Sequence, residues 1–226
     1  MLRISFPAFS VAFSERSDGD LRVSSRAPGA DAIEVVQARV LASLGVHAAV
    51  VGRQVHGTNV VAVGGDVRGY AVGVAEADGV VTAAPGLAAA VHVADCLPIA
   101  VGGEGAVAML HGGWRGLAGG IVAAGVRALR DLGARGPLQA AIGPGAGGCC
   151  YETGEDVRER FAAYPQALRG RVLDLAAIAA AQLLAAGVER VEDTGLCTIC
   201  GDAGRLYSHR RDGAATGRQG GYAWLR

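Results

Sequence analysis

Three short segments place a metal-binding side chain beside a glycine or proline turn. They read RQVHG, ADCLP and HGGWRG, and they contain His56, Cys96 and His111. Binding and catalytic residues concentrate on such loops at the ends of regular elements. Neutral imidazole and thiolate bind zinc well, and three protein ligands leave the open coordination position of a catalytic zinc site. The three residues are far apart in the chain, so only the tertiary fold could bring them together.

The segment after His111 suits an anion. Flexible glycines and Arg115 follow it at the expected start of a helix. Backbone N–H groups at a helix start, together with a planar guanidinium group, can hold phosphate. An arginine that only closes the turn through a salt bridge is the structural alternative. We also predict substrate contacts for Gln54 and Arg211, and a position on the pocket wall for Tyr151.

The remaining cysteines and histidines are assigned structural roles. A single C-x-x-C, at Cys197 and Cys200, is weak support for a zinc or redox site, and structural burial is expected. Cys149 and Cys150 are adjacent and cannot easily both face one metal ion. Packing roles are also expected for His47, His92, His209 and Trp114, whereas Asp78 and Asp95 are candidates for fixing loop geometry or orienting a ligand histidine.

Length and composition favour one globular domain spanning residues 1–226. The chain is 51% apolar and has a formal net charge of +0, so its net charge gives no support for a nucleic-acid partner. No segment has the roughly 20 uninterrupted apolar residues of a membrane helix. The first segment indicates a strand and not a signal peptide, and five cysteines without an export signal favour a cytoplasmic enzyme.

Apolar periodicity predicts a mixture of helices and strands without strict alternation. Helices are expected at 30–44, from just after 114 to 132, at 155–163 and at 174–186. Short strands are expected at 49–51, 60–63, 80–82, 88–93, 106–110, 138–142 and 188–191, and near the C-terminus. This pattern indicates an α/β protein of the α+β type, a layered sandwich with mixed β-sheets flanked by helices.

Six sequence blocks together resemble one known family. In chain order they read QVHG, EADGVVT, ADCLP, HGGWRG, IGP followed by CCYE, and RRDG with TGRQ. They are similar to the signatures of the YfiH-like laccase-domain family, once called multicopper polyphenol oxidases and later purine nucleoside phosphorylases. The glycines at 145–148, between IGP and CCYE, depart from the family pattern and leave the shape of that loop open.

The resemblance implies a Zn²⁺ ion held by His56, Cys96 and His111. It further implies phosphorolysis of adenosine- or inosine-type nucleosides, with adenosine deamination as a companion activity. The expected partners are therefore a nucleoside and phosphate, not a nucleic acid or a membrane.

Three other functions remain open. A copper-dependent polyphenol oxidase would suit the older family name, although a multicopper centre needs many imidazoles and the chain has five histidines. A cysteine hydrolase could use Cys96 as a nucleophile activated by His111, acting on an amide of a peptidoglycan precursor. A metal-stabilised binding module without turnover is the non-enzymatic alternative.

Overall fold

Two six-stranded mixed sheets lie face to face at the centre of the computed structural model, which describes residues 1–22 and 32–226. The first sheet consists, in spatial order, of β1 (Leu2–Ser5), β2 (Phe9–Phe13), β14 (Gln219–Leu225), β7 (Leu87–Val93), β3 (Ala48–Arg53) and β5 (Gly69–Glu76). The second consists of β13 (Val188–Asp193), β10 (Arg135–Ile142), β8 (Leu97–Glu104), β9 (Ala106–Gly112), β6 (Gly79–Thr82) and β4 (Val60–Val63). A two-stranded ribbon pairs β11 (Leu168–Arg169) with β12 (Val172–Leu173).

One apolar core lies between the two sheets. Phe9 and Phe13 of β2 meet Val91 of β7 and Met109 of β9 there, and all four side chains are buried. Each fully buried side chain of this size contributes about 1.5–3 kcal/mol through removal of apolar surface from water. This core fixes the two sheets against each other and therefore fixes the loops at their edges.

Helices cover the outer faces of both sheets. The first sheet is covered by α1 (Ile33–Leu44), whose Val36, Val40 and Leu44 recur at helical spacing and are buried. The second sheet packs against α3 (Ile121–Asp131) and α5 (Leu175–Ala185). The shorter helices are α2 (Trp114–Gly119), α4 (Glu155–Glu159) and α6 (His209–Asp212), with 3₁₀ turns at Arg16–Asp18 and Pro165–Ala167. None of the helices in the described ranges is long and apolar enough to cross a membrane.

The predicted fold class, a layered α/β sandwich with mixed sheets flanked by helices, is confirmed. Several boundaries differ. The single helix expected after residue 114 is two helices, because Gly120 adopts a left-handed conformation with φ 93° and ends α2. The helix expected at 155–163 ends at Glu159, and residues 30 and 31 of the first expected helix lie outside the described part. The strands β5, β8, β11 and β12 are not among the predicted ones.

Strand pairing brings the candidate ligands to one edge of the sandwich. The neighbouring strands β3 and β7 are parallel, so the loops after them, which carry His56 and Cys96, leave the first sheet at the same edge. In the second sheet β6 is antiparallel to β9, with Gly79 opposite Leu110. This register places Asp78, just before β6, next to His111, whose backbone N–H donates to the Asp78 carbonyl over 2.7 Å.

Candidate metal centre and pocket

His56, Cys96 and His111 converge at this edge. One potential ligand atom from each residue lies within 4.8 Å of the others, and the two imidazole rings have centroids 4.8 Å apart. His111 is buried, Cys96 is partly buried and His56 is exposed, so the cluster opens toward solvent on one side. Two imidazoles and one thiolate at this spacing fit one zinc-type ion with a free position.

The His56 loop is shaped by a buried carboxylate. Asp78 accepts hydrogen bonds from the backbone N–H groups of Val55, His56 and Gly57 over 3.1, 2.9 and 2.7 Å. His56 itself has φ 62°, a left-handed conformation that is uncommon for a residue with a side chain. Such strain persists when the surroundings fix it, and it is concentrated at functional sites. Asp78 therefore holds His56, a candidate ligand, in place through its loop.

The same carboxylate orients the second histidine. The distance between His111 Nδ1 and Asp78 Oδ1 is 2.7 Å, and the Asp78 side chain is completely buried. A ring whose Nδ1–H donates to a carboxylate presents Nε2 as the metal-binding nitrogen. Asp78 therefore makes the hydrogen bond that the orienting role considered from the sequence requires.

Electrostatics favour an ionised thiol in the cluster. Burial opposes ionisation of Cys96, but the charge and hydrogen bond of His111, with a smaller contribution from His56, lower the pKa of the thiol to about 6. Burial also disfavours the charged form of His111, yet the Cys96 thiolate and the Asp78 carboxylate raise the pKa of the imidazole to about 9. Both shifts favour a thiolate beside an imidazolium, and a bound cation would take the place of the imidazolium proton.

Cys96 is positioned by the residue before it. Asp95 has φ 90°, and its carboxylate accepts from the Thr198 hydroxyl over 2.6 Å and from the Arg210 backbone N–H over 2.7 Å. Its carbonyl accepts from the Ala146 N–H over 2.7 Å. Three separate segments of chain therefore hold Asp95, the residue that precedes Cys96.

A pocket of about 590 Å³ leads to the cluster. Its described lining is rich in positive charge: four arginines contribute to it and Asp95 is the one carboxylate among those residues. The arginines are Arg22, Arg115, Arg210 and Arg218. A cavity of this size and charge suits a small anionic or polyhydroxylated substrate.

Of the three residues predicted to contact substrate, Arg115 and Gln54 line the pocket and Arg211 does not. Arg115 lines the pocket and its guanidinium group lies 4.3 Å above the Trp114 ring. Gln54 also lines the pocket, but both ends of its amide bind the backbone of His92. Arg211 is not among the described residues that line this pocket. Its guanidinium group instead donates to the Thr198 and Leu206 carbonyls and to Asp212.

Residues given packing roles from the sequence also reach the pocket. His92, His209 and Trp114 line it, as does Tyr151, for which a wall position was expected. Arg210 lines the pocket in place of Arg211, whose guanidinium group is engaged by the partners named above. Which of two adjacent arginines faces a pocket depends on such tertiary contacts, and no sequence signal distinguishes them.

The other four cysteines correct two expectations: Cys197 and Cys200 are not fully buried, and the adjacent Cys149 and Cys150 both lie in one cluster of potential metal ligands. Cys149 and Cys200 are exposed, Cys150 and Cys197 are partly buried, and the four sulfur atoms lie within 4.8 Å of one another. The loop after β10 and the segment after β13 bring the CC and C-x-x-C pairs together.

Comparison with known proteins gives a consistent result. A family model described as multi-copper polyphenol oxidoreductase laccase matches residues 24–226. The chain is 36% identical over 236 residues to a purine nucleoside phosphorylase of Deinococcus radiodurans, covering 96% of this chain and 90% of that protein. It is 39% identical over 181 residues to a purine nucleoside phosphorylase of Streptomyces coelicolor, covering 76% and 73% respectively.

Solved structures share the fold. The YfiH protein of Bacillus licheniformis superposes with a TM-score of 0.84 at 25% identity, covering 96% of this chain and 93% of that chain. A Neisseria meningitidis protein superposes with a TM-score of 0.80 at 28% identity, covering 99% and 98%.

Proposed function

The chain belongs to the multi-copper polyphenol oxidoreductase laccase family, and on that basis we propose that it is a zinc-dependent purine nucleoside phosphorylase with a companion adenosine deaminase activity. The observation that carries the proposal is a three-ligand cluster at the base of an arginine-lined pocket. Relatives named purine nucleoside phosphorylase support the same substrate class.

The donor set supports zinc. His56, Cys96 and His111 would hold the ion, and Asp78 keeps the His111 ring in the orientation that exposes Nε2. A zinc ion held by three protein ligands supplies Lewis acidity at its open position, which is the chemistry that adenosine deamination requires. Gly113 allows this assembly, because a Cβ there would lie 3.0 Å from the Cys96 sulfur and 3.2 Å from His56 Cδ2.

Two arginines at the pocket would bind the phosphate. In phosphorolysis a phosphate oxygen bonds to the anomeric carbon of the ribose while the glycosidic bond to the purine breaks, giving ribose-1-phosphate and the free base. Arg115 is exposed at the pocket wall, and Arg210 lies 5.1 Å above the Tyr151 ring. Both can bind phosphate oxygens through several N–H groups and keep the anion close to the sugar.

The described residues favour one catalytic ion over a multicopper centre. They contain two groups of candidate ligands, and only the cluster at the pocket includes histidine. A copper oxidase needs several imidazole-ligated coppers close together, and His92, which lines the same pocket, is engaged with the Tyr70 hydroxyl at 2.9 Å. Metal analysis of protein purified without added copper should therefore give zinc.

A cysteine hydrolase is a second candidate, favoured by one observation. Cys96, His111 and Asp78 form a chain in which a thiolate faces an imidazole that is in turn held by a carboxylate. This is the arrangement of an activated cysteine nucleophile. An amide of a peptidoglycan precursor is the substrate class for this alternative.

The role of His56 distinguishes the two candidate functions. It is a ligand in the zinc enzyme but lies outside the Cys96–His111–Asp78 chain. Purified protein and the His56→Ala and Cys96→Ala variants would be incubated with adenosine and phosphate, while ribose-1-phosphate, adenine and inosine are followed by chromatography. We expect both variants to lose zinc from this site and to lose at least about 100-fold in turnover while remaining folded.

The hydrolase gives a different pattern. His56→Ala would retain amide hydrolysis, and a thiol-directed substrate analogue would leave a covalent adduct on Cys96 in the wild type. Full nucleoside turnover by Cys96→Ala would remove this cluster from the reaction.

A further inference from the structure

The most informative feature outside the pocket is the group of four cysteines, Cys149, Cys150, Cys197 and Cys200. Their sulfur atoms all lie within 4.8 Å of one another. Neighbouring sulfurs are separated by 3.1 Å for Cys149–Cys200, 3.5 Å for Cys150–Cys197 and 3.7 Å for Cys149–Cys150. We propose that these four thiolates bind a second zinc ion, which is structural and distinct from the ion at His56, Cys96 and His111.

The spacing fits one tetrahedral ion. Zinc–sulfur bonds of about 2.3 Å place the sulfurs of a tetrahedral site about 3.8 Å apart. An iron–sulfur cluster holds its cysteine sulfurs farther apart, because several iron atoms lie between them. Four protein sulfurs also leave no open position, as is usual for structural rather than catalytic zinc.

The C-x-x-C segment has the backbone of a metal-binding turn. The Gly201 N–H donates to the Cys197 carbonyl over 3.2 Å, which closes the turn around residues 197–201. A Cβ at Gly201 would collide with that carbonyl oxygen, so only glycine fits directly after Cys200. The Gly147 N–H, from the other loop, points at the Cys197 sulfur over 3.3 Å. Backbone N–H groups aimed at sulfur stabilise a thiolate before any ion binds.

The charge state of the cluster also favours a cation. Burial opposes ionisation of Cys197, but N–H groups of Cys200, Gly147 and Ile199 lower the pKa of its thiol to about 6. The neighbouring sulfurs raise the pKa of Cys149 to about 11, chiefly through Cys200. Burial also raises the pKa of Cys150, and a divalent cation among these sulfurs would neutralise adjacent negative charges.

The site would join two separate parts of the chain. Cys149 and Cys150 lie in the loop after β10, and Cys197 and Cys200 lie in the segment after β13. Without the ion, the contacts between these parts include a bridge between Gly145 and Cys197 and the bond from the Thr198 N–H to the Gly145 carbonyl over 2.9 Å. An ion that bonds to both parts would add four strong contacts to the backbone hydrogen bonds that connect them, which also include Gly145 N–H to the Leu196 carbonyl over 3.2 Å.

The joined segments carry the wall of the pocket. Tyr151 follows the CC pair directly, and Thr198 holds Asp95, the residue before Cys96. The second zinc would thus fix residues around the first site without touching substrate. Removal of this zinc is expected to lower the stability of the folded chain and, as a consequence, turnover at the pocket.

Zinc stoichiometry tests the proposal on the full chain. Wild-type protein purified under reducing conditions should contain two zinc ions per chain. Cys149→Ser and Cys200→Ser should each lose about one ion, and Cys96→Ala should lose the other. The two cysteine-cluster variants should also unfold at a temperature roughly 5 °C or more below that of the wild type.

A spectroscopic measurement on the unmodified protein keeps the test independent of variant folding. X-ray absorption at the zinc edge should show an average of more than two sulfurs per zinc, because one site supplies four and the other supplies one. Cobalt substitution should add the absorption bands of a tetrathiolate site, and Cys96→Ala should keep them.

Three results would overturn the proposal. One is a single zinc ion per chain, bound by His56, Cys96 and His111. Another is a wild type with one reactive thiol and two disulfides formed under the same reducing conditions. The third is iron in place of zinc at the four-cysteine site.

Discussion

Thr198 and Asp95 form a hydrogen bond of 2.6 Å that connects the four-cysteine cluster to the candidate catalytic cluster. Thr198 lies inside the C-x-x-C turn and is completely buried, and Asp95 directly precedes Cys96. A buried hydroxyl that donates to a carboxylate is worth more than an exposed one, because water cannot replace it. The bond therefore helps the C-x-x-C turn to fix the position of Cys96, one of the candidate ligands.

Replacing Thr198 with valine tests this connection. The substitution keeps the side-chain shape and leaves the Asp95 carboxylate without one of its donors, so we expect a loss of about 1–3 kcal/mol in the free energy of unfolding. Turnover should fall roughly tenfold as Cys96 loses its fixed position, with the zinc content unchanged. Urea unfolding, metal analysis and steady-state kinetics measure the three quantities. Thr198→Ser, which keeps the hydroxyl, should behave nearly as the wild type, and equal effects of both variants would refute the role of the hydrogen bond.

Asp78→Asn probes the carboxylate that serves both histidines. Asp78 Oδ1 binds His56 N–H and His111 Nδ1, whereas Oδ2 accepts from the N–H groups of the flanking residues 55 and 57. An amide accepts at only one of these two positions, so one of the two sets of hydrogen bonds is lost. We expect zinc affinity at the catalytic cluster to fall about 10–100-fold. Competition with a chromogenic chelator measures it. Asp66→Asn, at an exposed loop position, is the matched control, and an unchanged affinity in Asp78→Asn would show that the ligands do not need this residue.

The candidate ligands could be recognised from sequence because their chemistry is local. His56, Cys96 and His111 each occur in a short block with a turn residue, and the buried strands between them have strong apolar patterns. The layered fold followed from the same patterns. What the sequence could not give was the exact end of the second helix, because a glycine within an apolar helical pattern is tolerated until the backbone is seen to take φ 93° at Gly120.

The four-cysteine cluster could not be predicted for a different reason. The chain has one C-x-x-C and no second C-x-x-C that would complete a recognisable metal motif. The CC pair lies on a loop whose glycines leave its path undetermined. The two pairs meet because β10 and β13 are parallel neighbours, with Ile142 opposite Asp193, so their following loops emerge side by side. The register of pairing between strands that are distant in the chain depends on the tertiary structure, so it could not be derived from the sequence.

Gly113→Ala tests the close approach at the metal cluster. The backbone of Gly113 has φ −74°, which alanine adopts without strain, so the effect comes from the added Cβ against Cys96 and His56. We expect a loss of zinc from the catalytic cluster and at least a tenfold fall in turnover, with little change in the unfolding temperature. Gly64→Ala is the control because a Cβ there meets no atom within 4 Å. Normal zinc content in Gly113→Ala would mean that the cluster opens more easily than the structure indicates.

Arg115→Met tests the phosphate contact. Removing the guanidinium charge while keeping an extended apolar side chain should raise the KM for phosphate about tenfold or more and change the KM for the nucleoside much less. Arg160→Met is a suitable control, since the Arg160 guanidinium lies 5.9 Å from the same Trp114 ring but is not among the described residues lining the pocket. Initial rates at varied phosphate and at varied inosine give both constants. Equal increases in the two KM values would indicate that Arg115 shapes the pocket rather than binding the anion.

The pH dependence of stability provides a test centred on His92. Burial and the charge of Arg218 lower the pKa of its imidazole to about 4, against 6.5 for an unperturbed histidine. The unfolded chain therefore takes up a proton as the pH falls below 6.5 while the folded chain does not, so this residue reduces the free energy of unfolding progressively between pH 6.5 and 4, by about 3 kcal/mol in total. His92→Gln cannot take up that proton but can still accept from the Tyr70 hydroxyl. Urea titrations from pH 7.5 to pH 5 should show wild-type stability falling more steeply than that of the variant, whereas parallel curves would mean that His92 takes up its proton equally in the folded and unfolded states.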